Sequence, residues 1–213
     1  MVAMSKKTVL CFGDSNTWGR SPFAAERLPE ESRWPVVMRS ALGDGYEVIQ
    51  EGLNGRTTVW EDPIEEGRCG KTYLSPCLLT HDPIDLVILM LGTNDLKKRH
   101  SVSAFDIGRS IGLLLDRILN SGTGPEGTAP KVLLMAPPPV AKLTDFAAMF
   151  EGAEEKSRQL PTYYREHAEL RNCDFFDTGE LIRCSDGDGI HIEPEEHVKL
   201  GGHVAELVNG ILQ

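Results

Sequence analysis

Short hydrophobic runs alternate along the chain with segments whose apolar residues recur at helical spacing. The runs cover residues 8–12, 46–50, 85–91, 131–135 and 174–176. All but the second and the last are nearly continuous in hydrophobicity, which is typical of strands that are buried on both faces of a parallel sheet. The alternation of strands with helices therefore predicts an α/β fold with a five-stranded parallel sheet.

Four segments favour helices. The first covers residues 33–42 and ends at Gly43, and residues 145–170 are helix-prone with a break expected at Pro161. Pro194 fits the first turn of a last helix. The remaining helix is marked by four apolar residues at helical spacing: Ile107, Ile111, Leu114 and Ile118.

Two connections, residues 13–32 and residues 52–81, are longer than the loops of α/β domains usually are. Long loops in compact domains tend to be functional. Both follow a strand at its carboxyl end, which is the edge where open parallel sheets bind ligands. No repeat, low-complexity segment or linker divides the chain, so we expect a single domain over residues 1–213.

Charge and hydropathy exclude several classes of partner. The chain has 32 acidic and 22 basic residues, a formal charge of −10, and no basic run longer than Lys97-Lys98-Arg99. Nucleic acids and anionic membranes require a concentrated basic surface, so we expect neither as a partner. The apolar run over residues 86–91 is too short to cross a bilayer, and residues 1–7 contain no hydrophobic stretch of a signal peptide. We therefore expect a soluble cytoplasmic protein.

The metal-binding and redox side chains are few and scattered. The five cysteines form no Cys-x-x-Cys pair, which favours reduced, mostly buried thiols and leaves a disulfide between two of them open. Asp186 and Asp188 with their glycines resemble a fragment of a calcium loop, but the ligand pattern of such a loop is incomplete. We expect no metal. The cysteines are Cys11, Cys69, Cys77, Cys173 and Cys184.

Four polar segments that contain glycine follow predicted strands at their carboxyl ends. Asp and Ser after a strand commonly cap turns or helices, so a single segment says little. Parallel strands bring their carboxyl ends to one edge of the sheet, and we expect the four segments to meet there. The segments are Gly13-Asp14-Ser15-Asn16, Gly52-Leu53-Asn54-Gly55-Arg56-Thr57, Gly92-Thr93-Asn94-Asp95 and Asp186-Gly187-Asp188-Gly189-Ile190-His191.

These residue types together permit acyl transfer. A serine hydroxyl becomes a good nucleophile when an imidazole takes its proton and a carboxylate orients that imidazole. Ser15, His191 and Asp188 fit these roles, since the Asp and the His lie three residues apart in a turn that contains glycine. A tetrahedral intermediate also needs donors for its oxyanion. The backbone N–H groups of Ser15 and Gly55 and the side-chain amide of Asn94 are suitable, each worth about 3 kcal/mol.

The four segments resemble the sequence blocks of the GDSL-type, or SGNH, hydrolase family, named for the Ser, Gly, Asn and His that they carry. In this chain those residues are Ser15, Gly55, Asn94 and His191, and Asp188 is the family's acidic residue three before the His. The likeness is closest to the bacterial arylesterase and acyltransferase (perhydrolase) branch. It is carried by Leu10-Cys11-Phe12-Gly13-Asp14-Ser15, Thr17-Trp18-Gly19, Glu51-Gly52-Leu53, Arg56-Thr57-Thr58, Met90-Leu91-Gly92-Thr93-Asn94-Asp95, Ala136-Pro137-Pro138-Pro139 and Asp188-Gly189-Ile190-His191.

The resemblance covers nearly the whole chain and implies a fold, an activity and an assembly. The fold is a flavodoxin-like three-layer α/β/α sandwich, the SGNH hydrolase fold. The activity is hydrolysis of small carboxylic esters, aryl or short-chain acyl, through an acyl-enzyme on Ser15. Transfer of the acyl group to an alcohol or to hydrogen peroxide is a variant of the same chemistry. The resemblance implies no metal or cofactor and a homo-oligomer in which neighbouring subunits restrict the acyl pocket.

Two other functions stay open at this point. Other branches of the family remove acetyl groups from carbohydrates, although the missing signal peptide argues against an extracellular polysaccharide as substrate. A non-catalytic flavodoxin-like binding or scaffold protein would be expected to have lost at least one catalytic position. All of those positions are intact in this sequence.

Several residues beside the reacting groups are candidates for secondary roles. Asp14 and Asp95 are expected to support the site loops, and Arg56 to anchor a loop, pair with an acid or bind a substrate carboxylate. Substrate-binding candidates are Asn16, Trp18, Asn54 and Ile190. Six side chains are candidates for the lining of an acyl pocket, with packing or subunit contacts as the alternative role: Trp18, Trp34, Trp60, Phe146, Met149 and Phe150.

Overall fold

The five predicted strands form one sheet in the computed structural model, which describes residues 6–213. The order is β2-β1-β3-β4-β5 and every neighbouring pair is parallel, so the predicted α/β class and the five-stranded sheet are confirmed. Residues 1–5, which belong to the segment in which the sequence predicted no signal peptide, lie outside the described residues. The strands are β1 (Lys7–Gly13), β2 (Tyr46–Gly52), β3 (Leu86–Met90), β4 (Lys131–Ala136) and β5 (Asp174–Asp177).

Burial differs between the inner and the outer strands. All five residues of β3 are buried, as are most of those in β1 and β4. The edge strands β2 and β5 are half-buried over most of their length. The inner strands are the ones with continuous hydrophobic runs, because only they are covered by protein on both faces and on both sides.

Helices cover both faces of the sheet. Residues from α3, α4 and α6 form one hydrophobic cluster with the sheet, and residues from α2 and α7 form another on the opposite face. Successive residues of β1 alternate between the two clusters, as the pleat of a strand requires. The helices are α1 (Ser15–Trp18), α2 (Trp34–Leu42), α3 (Gly70–Thr80), α4 (Ala104–Leu119), α5 (Ala153–Ser157), α6 (Leu160–Glu169) and α7 (Pro194–Ile211).

The sequence pattern predicted one long loop over residues 52–81. The structure differs, because this connection contains α3. Gly70 at its start and Pro76 in its interior both disfavour a helix, so the local pattern hides it. The helix forms because Leu74 and Leu78 are buried in the core against the sheet. Tertiary packing here outweighs a weak local preference.

The helix-prone residues 145–170 form two short helices, α5 and α6, and the segment before α5 is not helical. The break falls before Pro161 and not at it. Proline lacks an N–H, but the N–H groups in the first turn of a helix have no acceptor within the helix, so Pro161 is tolerated as the second residue of α6. The other predicted helices agree with the structure within a few residues.

The strand order changes direction at β1. The chain goes from β1 to β2 on one side, and then to β3 on the other side of β1. Open α/β sheets bind ligands at such a switch point, beyond the carboxyl ends of the strands. β1 ends at Gly13 and β3 at Met90, so the segments with Ser15 and Asn94 leave the sheet side by side.

Two remaining expectations concern thiols and membranes. All five cysteines are free, and four of them are buried. None of the helices formed by residues 6–213 combines the length and the apolar composition that a bilayer crossing needs.

A methyl group at Gly52 is expected to destabilise the fold, because the backbone of α1 occupies the space. A Cβ there would lie 2.3 Å from the backbone nitrogen of Trp18. We expect Gly52→Ala to lower the free energy of unfolding by about 1–3 kcal/mol, measured by urea denaturation. Gly45→Ala is the matched control, since no atom lies within 4 Å of its Cβ position. Equal destabilisation in both variants would contradict this explanation.

Candidate active site

Ser15 begins α1 directly after β1. Asp14 is the N-cap of this helix, and its Oδ1 accepts a hydrogen bond of 2.9 Å from the backbone N–H of Asn16. Gly13 has to be small, because a Cβ there would lie 2.1 Å from Oγ1 of Thr17. The tight turn places the buried side chain of Ser15 at the carboxyl edge of the sheet.

His191 lies between Ser15 and Asp188. Its Nε2 is 3.0 Å from Ser15 Oγ, and its Nδ1 is 2.6 Å from Asp188 Oδ2. Asp188 Oδ1 also accepts the backbone N–H groups of Ile190 and His191, at 2.8 Å and 2.9 Å. The carboxylate therefore holds both the imidazole ring and the turn that carries it. The three side chains form a hydrogen-bonded chain in the order that a nucleophilic serine requires.

The turn before His191 depends on Gly189. Its φ is 81°, in the left-handed region, and a Cβ there would lie 2.7 Å from the carbonyl oxygen of Lys142. Glycine alone satisfies both conditions without strain. The turn is short enough that Asp188 can bond to the ring and to the backbone at once.

The Asp188 carboxylate is charged although it is buried. Burial acts to raise its pKa, but the His191 ring and the two backbone N–H groups together hold the pKa below its ordinary value. A charged Asp188 keeps the imidazole proton on Nδ1 of His191. Nε2 is then free to accept the hydroxyl proton of Ser15.

Hydrogen-bond donors lie next to the Ser15 hydroxyl. The backbone N–H of Ser15 is at the first position of α1 and has no acceptor within the helix. Gly55 has a φ of 79°, a conformation that favours glycine. The Asn94 amide donates one N–H to the carbonyl of Arg56 at 3.1 Å, and Asp14 Oδ2 lies 3.5 Å from the same nitrogen. Ser15, Gly55 and Asn94, the residues predicted to supply the oxyanion donors, all line the same cavity.

These groups line a cavity of about 200 Å³. This volume is below the ~300–1,000 Å³ of pockets for drug-sized ligands, so it suits a small acyl group. The Phe146 ring meets the His191 ring edge-on, with 6.1 Å between their centroids. A larger cavity of about 500 Å³ lies between α3 and α4, but it contains none of the four segments. The lining of the small cavity includes the apolar residues Phe146, Met149, Phe150 and Ile190 and the polar or charged residues Arg20, Asn54, Glu65 and Lys97.

Two of the substrate-binding candidates predicted from the sequence, Asn16 and Trp18, are not among the residues that line this cavity. The Asn16 amide donates to the carbonyl of Ile190 at 3.2 Å and accepts from the N–H of Ile192 at 3.3 Å, so it ties α1 to the turn of His191. Trp18 packs against the guanidinium of Arg27, 4.9 Å from its ring centroid. The other two candidates, Asn54 and Ile190, do line the cavity.

Of the candidates for the acyl pocket, some line the cavity and others pack in the hydrophobic clusters, a division that the sequence did not indicate. Phe146 and Phe150 line the cavity with Met149. Trp34 is fully buried in the hydrophobic cluster of α2 and α7, and Trp60 packs against the opposite cluster. Arg20, Glu65 and Lys97 also line the cavity, and the sequence did not indicate them, since charged residues in loops carry no local pattern that predicts which of them face a cavity.

Lys97 and Glu65 belong to a partly buried cluster of charged residues that also line or adjoin the cavity. Lys97 Nζ lies 3.0 Å from Glu65 Oε1 and 3.4 Å from Asp62 Oδ2. Arg99 Nη2 lies 2.6 Å and 2.9 Å from the same two oxygens. Burial acts to raise the pKa of Asp62, but two backbone N–H groups and these cations lower it to about 2. The cluster joins the loop after Gly55 to the loop after Asn94.

Asp14 and Asp95 are buried behind the site. Asp95 accepts the backbone N–H of Thr58 at 3.0 Å and the Thr58 hydroxyl. Burial is the main cause that raises the pKa of Asp14 to about 7 and that of Asp95 to about 6, and Asp95 adds to the effect on Asp14. Both residues support the site loops through hydrogen bonds.

One group of potential metal ligands occurs among residues 6–213, with donor atoms of Glu51, Cys77 and His81 within 4.8 Å of one another. Metals bind the thiolate, yet burial and the Glu51 carboxylate raise the pKa of Cys77 to about 12. His81 Nε2 lies 3.1 Å from Glu51 Oε1, and the Tyr73 hydroxyl lies 3.5 Å from it. Hydrogen bonding among these side chains accounts for the group.

The chain matches the model of the GDSL-like Lipase/Acylhydrolase family over residues 11–197, and it belongs to this family. The resemblance to SGNH hydrolases and the predicted fold are thereby confirmed. The protein is an esterase or acylhydrolase of the SGNH type. A search of curated protein sequences found no match.

Solved structures with high similarity support the same conclusion. Est24, a carbohydrate acetylesterase from Sinorhizobium meliloti, is 42% identical with a TM-score of 0.93, over 97% of this chain and 100% of that one. The aryl esterase of M. smegmatis is 40% identical with a TM-score of 0.93, over 96% and 99%. A lipolytic protein of the G-D-S-L family from Veillonella parvula DSM 2008 is 17% identical with a TM-score of 0.66, over 95% and 97%, and shares the fold.

Replacing Asp14 with Asn is expected to stabilise the protein at pH 8. The pKa of Asp14 is about 7 in the folded protein against an ordinary value of 3.8, so folding favours the protonated form. The stability that this group contributes is full below about pH 4 and is lost as the pH rises through about 7. Asn keeps the Oδ1 acceptor without the charge.

The measurement for Asp14→Asn is urea denaturation at pH 8 and at pH 4. The variant should be more stable than the wild type at pH 8, and the difference should shrink at pH 4. Asp44→Asn, at an exposed position, is the control. A difference that is the same at both pH values would refute the assignment.

Proposed function

We propose that this protein is a serine esterase that hydrolyses small carboxylic esters, aryl or short-chain acyl, through an acyl-enzyme on Ser15. The observation that carries the proposal is the chain from Ser15 through His191 to Asp188, at 3.0 Å and 2.6 Å, inside a small cavity. The arylesterase and carbohydrate acetylesterase among the relatives support cleavage of an ester bond.

Acylation begins when Ser15 Oγ attacks the carbonyl carbon of the ester. His191 Nε2 takes the hydroxyl proton, and Asp188 stabilises the imidazolium that forms. The carbonyl oxygen becomes an oxyanion, which accepts hydrogen bonds from the N–H groups of Ser15 and Gly55 and from the Asn94 amide. The C–O bond to the alcohol then breaks, and His191 protonates the departing alcohol.

Deacylation repeats the same steps with a new acceptor. His191 removes a proton from water, which attacks the acyl carbon and releases the acid and the free Ser15 hydroxyl. An alcohol in place of water yields a new ester, and hydrogen peroxide yields a peracid. No step requires a metal or a cofactor. Addition of an alcohol to a vinyl ester in water, with new ester measured against acid, determines the preferred acceptor.

The cavity supports a preference for short acyl groups. Phe146, Met149 and Phe150 are apolar residues in its lining, and the volume is about 200 Å³. A pocket that excludes water around the acyl chain gains from each methylene only while space remains. The proposal includes a homo-oligomer whose neighbouring subunits narrow the pocket. Light scattering measures the oligomeric state.

Removal of acetyl groups from carbohydrates is the second candidate function. The polar and charged residues in the cavity lining, Arg20, Asn54, Glu65 and Lys97, favour it because sugars present many hydroxyl groups. Est24, at 42% identity, is a carbohydrate acetylesterase. A comparison of p-nitrophenyl acetate with acetylated monosaccharides separates the two candidates. A binding protein without activity is disfavoured, since every position of the proposed site is intact.

Loss of the Ser15 hydroxyl is expected to abolish ester hydrolysis. With p-nitrophenyl acetate, Ser15→Ala should lose at least about 10⁴-fold in kcat, because no acyl-enzyme can form. Ser40→Ala is the matched control, since the Ser40 hydroxyl bonds only within α2, to Val36 at 3.0 Å. Undiminished hydrolysis by Ser15→Ala would end the hypothesis.

The acyl-chain preference is expected to depend on Phe146. With p-nitrophenyl esters from acetate to octanoate, kcat/KM should fall sharply beyond butyrate in the wild type. Phe146→Ala should move this fall to longer chains, by about tenfold or more for the first excluded ester. Phe105→Ala, at a half-exposed position outside the cavity, is the control. Identical chain-length profiles for Phe146→Ala and the wild type would show that this wall does not limit the acyl group.

A further inference from the structure

We propose that Arg56 is the positioning residue of the oxyanion site, holding Gly55 and Asn94 in place relative to Ser15. This inference rests on the proposed function, in which these three residues supply the donors for the oxyanion. Arg56 itself does not line the cavity. It therefore acts through its neighbours and not by contact with the substrate.

The side chain of Arg56 joins the ends of two strands. It is 3% exposed, and its Nη1 donates to the carbonyl of Gly13 at 2.9 Å and to the carbonyl of Glu51. These residues end or nearly end β1 and β2. The guanidinium also lies 4.2 Å from the ring centroid of Phe12 and 5.2 Å from that of Tyr73. One side chain thus links β1, β2 and α3 directly below the site.

The backbone of Arg56 contacts the proposed donors. Its N–H donates to the carbonyl of Leu53 at 3.1 Å, which closes the turn that contains Gly55. Its carbonyl accepts from the Asn94 amide at 3.1 Å, which sets the rotation of that amide. The carbonyl of Gly13 that Arg56 binds lies two residues before Ser15. All three donors therefore depend on where this one residue sits.

The positive charge of Arg56 is buried, and its contacts are with backbone carbonyls and aromatic rings. The ion pairs formed within residues 6–213 do not include it, and Glu51, on the adjacent strand, pairs instead with His81 at 3.1 Å. Its Nε is buried without an acceptor, and burial lowers the pKa of the guanidinium. An exposed arginine could anchor a loop without this cost of burial. The cost is understandable where it keeps dipoles preorganised for a developing charge.

The geometry also decides among the roles considered for Arg56. No carboxylate within the part of the chain that the structure describes forms an ion pair with it, so the role of pairing with an acid is not supported. Its guanidinium is occupied by Gly13 and Glu51 and does not face the cavity, so it does not bind a substrate carboxylate. The role of an anchor remains, and the anchored segment is the one with the oxyanion donors.

The first test measures kcat per competent site with p-nitrophenyl acetate. We expect Arg56→Met to lower kcat by about 10²-fold, the usual loss of one oxyanion donor, with a change in KM below about threefold. Arg56→Lys keeps the charge and one donor, and should recover part of the loss. Titration with diethyl p-nitrophenyl phosphate counts the competent molecules, so a misfolded fraction cannot imitate a catalytic defect.

The second test is a double-variant cycle with Asn94→Ala. Because Arg56 acts in part through the Asn94 amide, Arg56→Met should lower kcat less in the Asn94→Ala background than in the wild type. A residue that acts on the reaction independently of Asn94 would give losses that multiply, and a residue that only stabilises the fold would leave kcat per competent site unchanged. Multiplicative losses in kcat per competent site would overturn the proposal.

Further variants distinguish a failure of the role proposed for Arg56 from a failure of the proposed function. Arg165→Met is the matched variant, since the Arg165 guanidinium lies 4.7 Å from the Phe175 ring outside the cavity, and it should keep the wild-type kcat. If Arg56→Met does not fold, Arg56→Lys decides, and a wild-type kcat per competent site in that variant overturns the proposal. An active wild type with an inactive Ser15→Ala supports the proposed function independently. An inactive wild type overturns that function, and with it the role of Arg56.

Discussion

Parallel pairing of the five strands is the constraint on which the rest of this structure depends. It brings the carboxyl ends of all strands to one edge, so Ser15 and His191, 176 residues apart, come within 3.0 Å of each other. Parallel strands also require crossover connections, and the helices in these connections cover both faces of the sheet. The reversal of strand order at β1 leaves a crevice between the segments that follow β1 and β3. The candidate site lies in that crevice.

Around the reacting groups, the buried charges are arranged so that each has partners. Asp188 is held by His191 and two backbone N–H groups, and Lys97 by two carboxylates. Arg56 is held by backbone carbonyls and aromatic faces. Burial of such groups costs stability, and it is tolerated where hydrogen bonds replace water. The result is a set of donors and acceptors that need little rearrangement when charge develops on a substrate.

Much of the fold followed from local patterns in the sequence. The five strands and the last helix were predicted from hydrophobic runs and from Pro194, because the period of the apolar positions is a local property. α3 was missed since Gly70 and Pro76 weaken its pattern, and only packing against the sheet explains it. For the site, the four polar segments were recognisable by residue type, and the family match over residues 11–197 agrees with that assignment.

The sequence by itself determined the α/β class, the parallel sheet and the edge at which the polar segments meet. The reason is that the hydrophobic pattern of each strand and the alternation of strands with helices are local properties of the chain. Only the tertiary structure decided which neighbouring side chains reach the cavity. Asn54 lines the cavity, whereas the Asn16 amide is hydrogen-bonded to the backbone of Ile190 and Ile192. Long-range contacts likewise bury Lys97 against residues 62–65 and place Arg56 below the donors. Such contacts depend on the packing of distant segments, which no local pattern contains.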